Sequence, residues 1–250
     1  MEFAKLVELF PNIYKDAERK IIESYDHSRY LDVIKKHDQA SLKTSKAIPK
    51  ILHFIWLGKS PLPEQSRQNF SYFAKTIRKF GGDAVLWIDQ VNTDPEFQYW
   101  LKESSILLMN VESFFYGRES MSTFCYFKAA LAKIPSNFGE ASDLLRYEII
   151  DRFGGYYFDH DVKEGDVDLR SLLFKGKNPF GFVCGRWPTG HFRNDLFGAL
   201  PQTLLIKNIK ELIFKNYNEN GWKSYVEYKR ELLNDFTVFT TGPEYMFTGS

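Results

Sequence analysis

The sequence is poor in cysteine, and that scarcity excludes several classes of protein. Among 250 residues only Cys125 and Cys184 are cysteines, and they lie far apart without a metal-type spacing. A disulfide framework is therefore not expected, and the low count favours a reducing compartment. No stretch approaches the ~18 apolar residues of a membrane span. The first residues, MEFAKLVELF, carry acids early and no cleavage-site pattern, so we expect no secretory signal.

An excess of charge of either sign is also missing. The chain has 33 basic and 32 acidic residues and a formal net charge of +1, which argues against a broad nucleic-acid-binding surface. Aromatic residues, in contrast, reach 17% with 23 Phe and 14 Tyr. A core rich in phenylalanine explains this content more simply than aromatic platforms for sugars, although the composition permits both.

Two regions differ in texture. Residues 1–45 predict two or three short amphipathic helices, which form either a cap on the domain or a surface that docks on a membrane or a partner. Residues 46–250 are predicted to form one domain in which apolar strands alternate with helices, typical of an α/β fold with a largely parallel sheet. We predict strands over 50–58, 84–89, 106–111, 156–162, 180–187 and 237–243, and helices over 66–81, 96–104, 140–155, 205–217 and 222–233.

Two aspartates one residue apart, Asp159 and Asp161, end the apolar run YYFDHDV. In a strand they would point to one side and His160 to the other. Paired carboxylates at the carboxyl end of a strand suit Mg²⁺ or Mn²⁺, which keep open positions for phosphate oxygens. The alternative is a solvated turn. In the preceding helix, Asp143 and Arg146 share a face, either as a surface ion pair or as donors and acceptors for sugar hydroxyls.

Together these segments carry a resemblance. IPKILHFIWLG (48–58), followed by ASDLLRYEIIDRFGGYYFDHDV (141–162), resembles the DXD sugar-binding glycosyltransferases. This family includes fungal initiating mannosyltransferases, the glucosylating domains of large clostridial toxins and related bacterial effectors. The similarity is firm over 48–60 and 139–165 and looser over 192–201 and 240–245. It implies a GT-A-type, Rossmann-like nucleotide-sugar-binding fold, here with an N-terminal helical extension.

The resemblance also implies a donor site. Trp56 would stack on the base beside Leu57, Tyr157 would line the pocket, and Asn194 would flank the sugar. The residues implied to act on the sugar and the diphosphate are Asp143 and Arg146 at the sugar hydroxyls, Asp159 at the ribose or sugar, and Asp161, with Asp159, at Mn²⁺ or Mg²⁺.

The expected activity is transfer of a hexose, glucose or N-acetylglucosamine, from a UDP-sugar to a protein or glycan acceptor with retention of configuration. The acceptor would be a host protein if the enzyme is a translocated toxin-like effector; otherwise it would act in the bacterial cytoplasm. A non-catalytic nucleotide-sugar-binding homologue and an envelope glycan glycosyltransferase are the alternatives. A haloacid-dehalogenase phosphatase is disfavoured by the late position of the motif, and a glycosidase by acids on one strand face.

Two departures from the family pattern stand out. The residue between the aspartates is His160, where many members carry a small or apolar residue. The sequence also reaches EYMFTGS without the later flap that closes the donor site in the toxins. We expect that the flap is absent, that the chain is a fragment, or that Glu244 and its neighbours substitute for it.

Overall fold

The strand predictions are largely confirmed in the computed structural model, which describes residues 47–90, 94–111, 127, 130–132, 136–177, 181–186 and 192–219. Six strands form one sheet in the order β3-β2-β1-β4-β6-β5. Their bounds are β1 Ile51–Trp56, β2 Asp83–Ile88, β3 Leu107–Asn110, β4 Gly155–Phe158, β5 Phe182–Arg186 and β6 Phe192–Ala199. The predicted helices over 1–45 and 222–233 and the predicted strand over 237–243 lie outside the described residues.

Five helices accompany the sheet in the part of the chain that the structure describes as regular elements. They are α1 Glu64–Lys79, α2 Pro95–Ser104, α3 Phe138–Phe153, α4 Leu169–Lys175 and α5 Leu204–Glu219. Four match predicted helices. The seven-residue α4 was not predicted, because so short an element offers no clear helical period.

The sheet is mixed. β1 pairs in parallel with β2 and β4, and β2 pairs in parallel with β3, as the alternation of strands and helices predicts. β6 runs antiparallel to both β4 and β5. Because β6 runs backwards, its beginning lies at the same edge as the carboxyl ends of β1, β2 and β4. That shared edge carries the candidate site.

Apolar side chains cover both faces of the sheet. On one face, alternate strand residues such as Ile55 and Trp87 pack against α3 and α5. On the other, Phe54 and Leu86 pack against α1, α2 and α4. The strands between two helical layers are therefore buried on both sides, which explains their continuous apolar runs. None of the helices in the described residues is long and apolar enough to cross a bilayer.

Candidate donor-sugar site

A helix–turn–strand unit builds the centre of the site. α3 begins at the Asn137 cap, whose side chain accepts a hydrogen bond from the backbone N–H of Glu140, and ends at Gly154 with a φ of 62°. Gly155 follows with a φ of 98°, and a Cβ there would lie 2.6 Å from the backbone oxygen of Ile51. Only glycine fits this close approach, so the Gly-Gly pair lets β4 enter the sheet beside β1.

Arg146 is the hub of a buried polar network. Its side chain is 3% exposed, and its Nη2 lies 2.6 Å from Oδ1 of Asp143, which is itself 5% exposed. Nη1 donates to the backbone oxygen of Asn194 at 2.8 Å. Burial alone would lower the pKa of the guanidinium, but Asp143, Tyr157 and Asp159 outweigh it and raise that pKa. The pair is therefore interior, and the surface ion pair considered from the sequence is wrong.

The network reaches the motif aspartates through Asp159. Nη2 of Arg146 lies 3.5 Å from Oδ2 of Asp159, and the hydroxyl of Tyr157 donates to Oδ1 at 3.0 Å. The guanidinium also lies 4.5 Å from the centre of the Tyr157 ring. Burial raises the pKa of Tyr157 well above its ordinary value, so the phenol stays protonated and donates. The face of α3 that carries Arg146 thus meets Asp159, as predicted.

The segment that carries both aspartates differs from the prediction. β4 ends at Phe158, and the backbone N–H of Val162 donates to the oxygen of Asp159 at 3.3 Å, which closes a turn. The predicted strand over 156–162 is therefore wrong beyond Phe158, and strand alternation does not set the directions of Asp159, His160 and Asp161. The solvated-turn alternative describes the local backbone. Asp159 is half-buried, and Asp161 is exposed.

The ends of β1 and β2 form a second wall. Trp56 is half-buried at the last position of β1, and its Nε1 donates to the backbone oxygen of Ser60. Leu57 is buried, and the next residue, Gly58, donates its N–H to Oδ1 of Asp89 at 2.8 Å. Phe138 of α3 lies against Gly58, where it leaves no room for a Cβ. Neither Asp89 nor Phe138 was predicted, because each contacts Gly58, which is distant in sequence.

The beginning of β6 forms the third wall. Asn194 is buried, and its Nδ2 lies 3.5 Å from Oδ1 of Asp143, which places it beside the polar network. The backbone N–H of Asp159 donates to the oxygen of Asp195. Arg193 pairs with Asp195 through Nη2 at 2.7 Å and interacts electrostatically with Asp161. Arg193 and Asp195 were not predicted, because the looser resemblance over 192–201 singled out only Asn194.

Two carboxylates suit a hard cation in this arrangement. Within the described residues no group of three or more His, Cys, Asp and Glu side chains is arranged to hold a metal ion. A divalent cation that bridges a diphosphate needs fewer protein ligands, since phosphate oxygens and water complete its coordination. The exposed Asp161 and the half-buried Asp159 supply such oxygen ligands at the open edge of the sheet. The donor set therefore fits Mg²⁺ or Mn²⁺.

The arrangement of helices and strands defines the fold class of the protein. The chain has the mixed α/β architecture of GT-A-type glycosyltransferase domains, which confirms the predicted fold class. The solved PaToxG glycosyltransferase aligns with a TM-score of 0.60 at 18% identity, covering 90% of this chain and 79% of that chain. The UDP-bound glycosyltransferase domain from the YGT toxin aligns with a TM-score of 0.53 at 14% identity, covering 82% and 77%.

Among curated proteins, one relative comes from Legionella pneumophila subsp. pneumophila. Subversion of eukaryotic traffic protein A is 26% identical over 216 residues, which cover 80% of this chain and 31% of that protein. The chain therefore spans about a third of the length of this relative. No family model matches the sequence.

Proposed function

We propose that this protein is a metal-dependent, retaining glycosyltransferase that transfers glucose or N-acetylglucosamine from a UDP-sugar to a host protein. The observation that carries the proposal is the buried Asp143–Arg146 pair joined to Asp159 at the edge where open α/β sheets bind their ligands. An ion pair on the helix surface would not hold its carboxylate in place for a ligand. A desolvated pair with hydrogen-bond partners presents its carboxylates in fixed positions.

Two different walls of the site would bind the base and the sugar of the donor. Trp56 is half-buried, its indole N–H donates to the backbone oxygen of Ser60, and the buried Leu57 follows it, so this wall would receive the base. The solved YGT domain is described as UDP-bound and shares the fold. We therefore assign uracil to the Trp56 wall and the sugar to the wall formed by Asp143 and Asn194.

Arg146 has a positioning task within this site. Its guanidinium already donates to Asn194 O and pairs with Asp143, so its main contribution is to hold the carboxylates of Asp143 and Asp159 toward the sugar hydroxyls. Tyr157 assists by donating to Asp159 from a buried, protonated phenol. Both contacts exist before the donor arrives, so binding the donor does not require these side chains to lose further conformational freedom.

The bond changes balance without an enzymic nucleophile. The bond between the anomeric carbon and the β-phosphate oxygen breaks, and the acceptor oxygen bonds the same carbon on the same face. The acceptor proton passes to the departing phosphate oxygen. Asp159 and Asp161 would hold Mn²⁺ or Mg²⁺, which supplies charge neutralisation for the diphosphate when bound. The exposed Asp161 lies where solvent, diphosphate and cation can all reach it.

A host protein as acceptor rests on the relatives. The structural neighbours are domains of toxins, and the curated relative is named for subversion of eukaryotic traffic. Each name describes that protein, and the acceptor of this chain is proposed by analogy. Residues 1–45, which we propose as an extension to the 46–250 domain, would supply contacts to a membrane surface or to the acceptor.

A donor screen tests the proposal. Purified protein is incubated with a panel of nucleotide sugars and Mn²⁺, and release of free nucleotide is measured. We expect hydrolysis of a UDP-hexose that chelation abolishes. Asp161→Asn should abolish turnover and weaken Mn²⁺-dependent UDP binding in calorimetry, with an unchanged melting temperature because the side chain is exposed.

The matched control is Glu164→Gln, an exposed acid in the same loop. It should retain activity and UDP affinity. Unchanged affinity and rate in Asp161→Asn would rule out the assigned metal site. Hydrolysis of no donor, with UDP still bound, would identify a binding homologue instead of an enzyme.

A further inference from the structure

His160, the residue between the two aspartates, has more contacts than a spacer requires. Its ring Nδ1 lies 3.2 Å from Oγ of Ser66, and either atom can donate. Its backbone oxygen accepts a hydrogen bond from Nδ2 of Asn69 at 3.1 Å. Its imidazole meets Trp56 edge-on, with ring centres 5.4 Å apart and planes at 81°. A single residue of the turn thus contacts both α1 and the end of β1.

The partners on α1 are buried polar groups. Ser66 is 3% exposed and Asn69 is 5% exposed, and both face the turn from the first half of the helix. Nε2 of Gln65 donates to Oδ1 of Asn69, which fixes the amide so that its Nδ2 points to His160. Buried polar groups need partners. The helix therefore commits two interior side chains to the position between the aspartates.

Burial also separates this contact from a hydrolase dyad. A nucleophilic serine must reach substrate, whereas Ser66 is enclosed between α1 and the turn. Its hydroxyl can orient the imidazole but cannot attack. The contact between Ser66 and His160 therefore serves to orient the imidazole.

We propose that His160 is a positioning residue that holds the Trp56 platform and the Asp159–Asp161 turn at one separation, with Ser66 and Asn69 as its anchors. The inference rests on the proposed function, since the separation matters only if a base lies on Trp56 while a diphosphate lies at the aspartates. The ring contact with Trp56 and the bond between Nδ1 and Ser66 are interactions that a small apolar residue could not make. The bond from Asn69 is to the backbone oxygen and would remain.

The consequence concerns donor binding more than the chemical step. A nucleotide would span both walls, so loosening one against the other adds an ordering cost to its binding. Loss of the His160 ring should raise KM for the donor by about tenfold, while kcat changes by less than about threefold. Loss of the Ser66 hydroxyl should act in the same direction with a smaller effect.

The test compares four variants of the whole chain. Ser66→Ala removes one anchor, and His160→Ala removes the ring. His160→Asn keeps a hydrogen-bonding group near the position of Nδ1 and should restore much of the order of the turn. Ser71→Ala is the matched control, because Ser71 lies on the same helix and accepts instead from Nε1 of Trp100.

Two readouts separate this inference from the proposed function. Hydrogen exchange of peptides spanning 156–163, measured without nucleotide, should accelerate in Ser66→Ala and His160→Ala, recover in His160→Asn and stay unchanged in Ser71→Ala. UDP affinity with Mn²⁺ should follow the same order. If the unaltered protein binds no UDP, the proposed function fails, and exchange alone still decides whether His160 holds the turn.

The outcome that overturns the inference is equally concrete. Folded Ser66→Ala and His160→Ala proteins with the exchange pattern and UDP affinity of the unaltered chain would show that the contacts are incidental. A fall in kcat at constant KM would also contradict it, because His160 would then act in the chemistry instead of in donor placement.

Discussion

At the scale of single residues, Arg146 links stability to the site. It is buried, pairs with Asp143, donates to the backbone of β6 and lies over the Tyr157 ring. Its interactions with these partners offset the cost of desolvating the guanidinium. A neighbouring charge that lost Arg146 would have no comparable compensation for its own desolvation. Loss of activity on mutation of Arg146 would therefore be ambiguous unless stability is measured as well.

Removal of one partner of this pair should destabilise the fold. We expect Arg146→Ala to lower the free energy of unfolding by about 3–5 kcal/mol, since it strands the Asp143 carboxylate in the interior. Replacement of both residues, Asp143→Leu with Arg146→Met, should cost less than the single change. Urea unfolding followed by circular dichroism measures both. A single variant as stable as the unaltered protein would contradict the burial of this pair.

Mutation of Trp56 distinguishes a role in UDP binding from a role in core packing. It is half-buried, with its N–H fixed on Ser60. Trp56→Ala should weaken UDP binding by roughly 1–3 kcal/mol, the range of base–aromatic stacking. Trp100→Ala is the control, because Trp100 packs against the same core cluster as Trp56 but donates to Ser71 of α1, so its loss should affect melting but not affinity. Calorimetry and thermal melts distinguish the two, and normal UDP affinity in Trp56→Ala would leave the tryptophan a purely structural role.

Reasoning from the sequence selected three polar residues that lie together in the structure, but it did not predict their surroundings. Asp143, Arg146 and Asp159 were selected from spacing and resemblance, and the structure brings them together. The burial of Arg146 and the anchoring of His160 by Ser66 were not predicted. Both arise from contacts between residues far apart in the chain, to which periodicity and local motifs are blind.

At the scale of elements, strong patterns were predicted and weak ones were missed. β1 and β2 are uninterrupted apolar runs, and α3 has a clear cap and a glycine end. β6 carries three consecutive charged or polar residues, Arg193 to Asp195, and contains Gly198, so its alternation is masked. β4 was predicted too long because an aspartate can end a strand or continue it, and the choice depends on the turn closed by Val162.

The double-glycine connection provides a test at this scale. Gly155→Ala should cost about 1–3 kcal/mol or more, because the new Cβ meets the backbone of Ile51, which cannot yield, at an already unfavourable φ. Gly81→Ala is the matched control, since Gly81 also has a positive φ but nothing lies within 4 Å of the added atom. Urea midpoints measure the difference. Equal losses in both variants would mean that the φ angle matters and the collision does not.

At the scale of the whole molecule, a buried ionic cluster attaches α5 to α3. Nζ of Lys210 lies 2.7 Å from both Oε2 of Glu148 and Oδ2 of Asp151. Burial would lower the pKa of Lys210, but the two carboxylates prevail and raise it. Burial likewise raises the pKa of Tyr156, which packs on the opposite face of the sheet. Both groups hold their protons longer in the folded state than in the unfolded chain.

Stability should therefore fall in alkali. Above about pH 10 the unfolded chain releases tyrosine and lysine protons that the folded protein retains, so it binds fewer protons and the free energy of unfolding decreases as pH rises. Below that pH the contribution is fully present. Urea unfolding at about pH 8 and about pH 11 measures the loss. Tyr156→Phe and Lys210→Met should each flatten the decline, and an unchanged slope in both would refute this account.

One feature of α3 bears on how such proteins diversify. This helix is enclosed by the sheet on one side, by α5 on another and by the start of β6 at the site, and 11 of its 16 residues are buried. Substitutions in it would disturb the core, the ionic cluster and the donor wall together. Evolution toward a new acceptor has little freedom here and more on the exposed surfaces, so a lineage of related enzymes should keep α3 nearly constant while its periphery drifts.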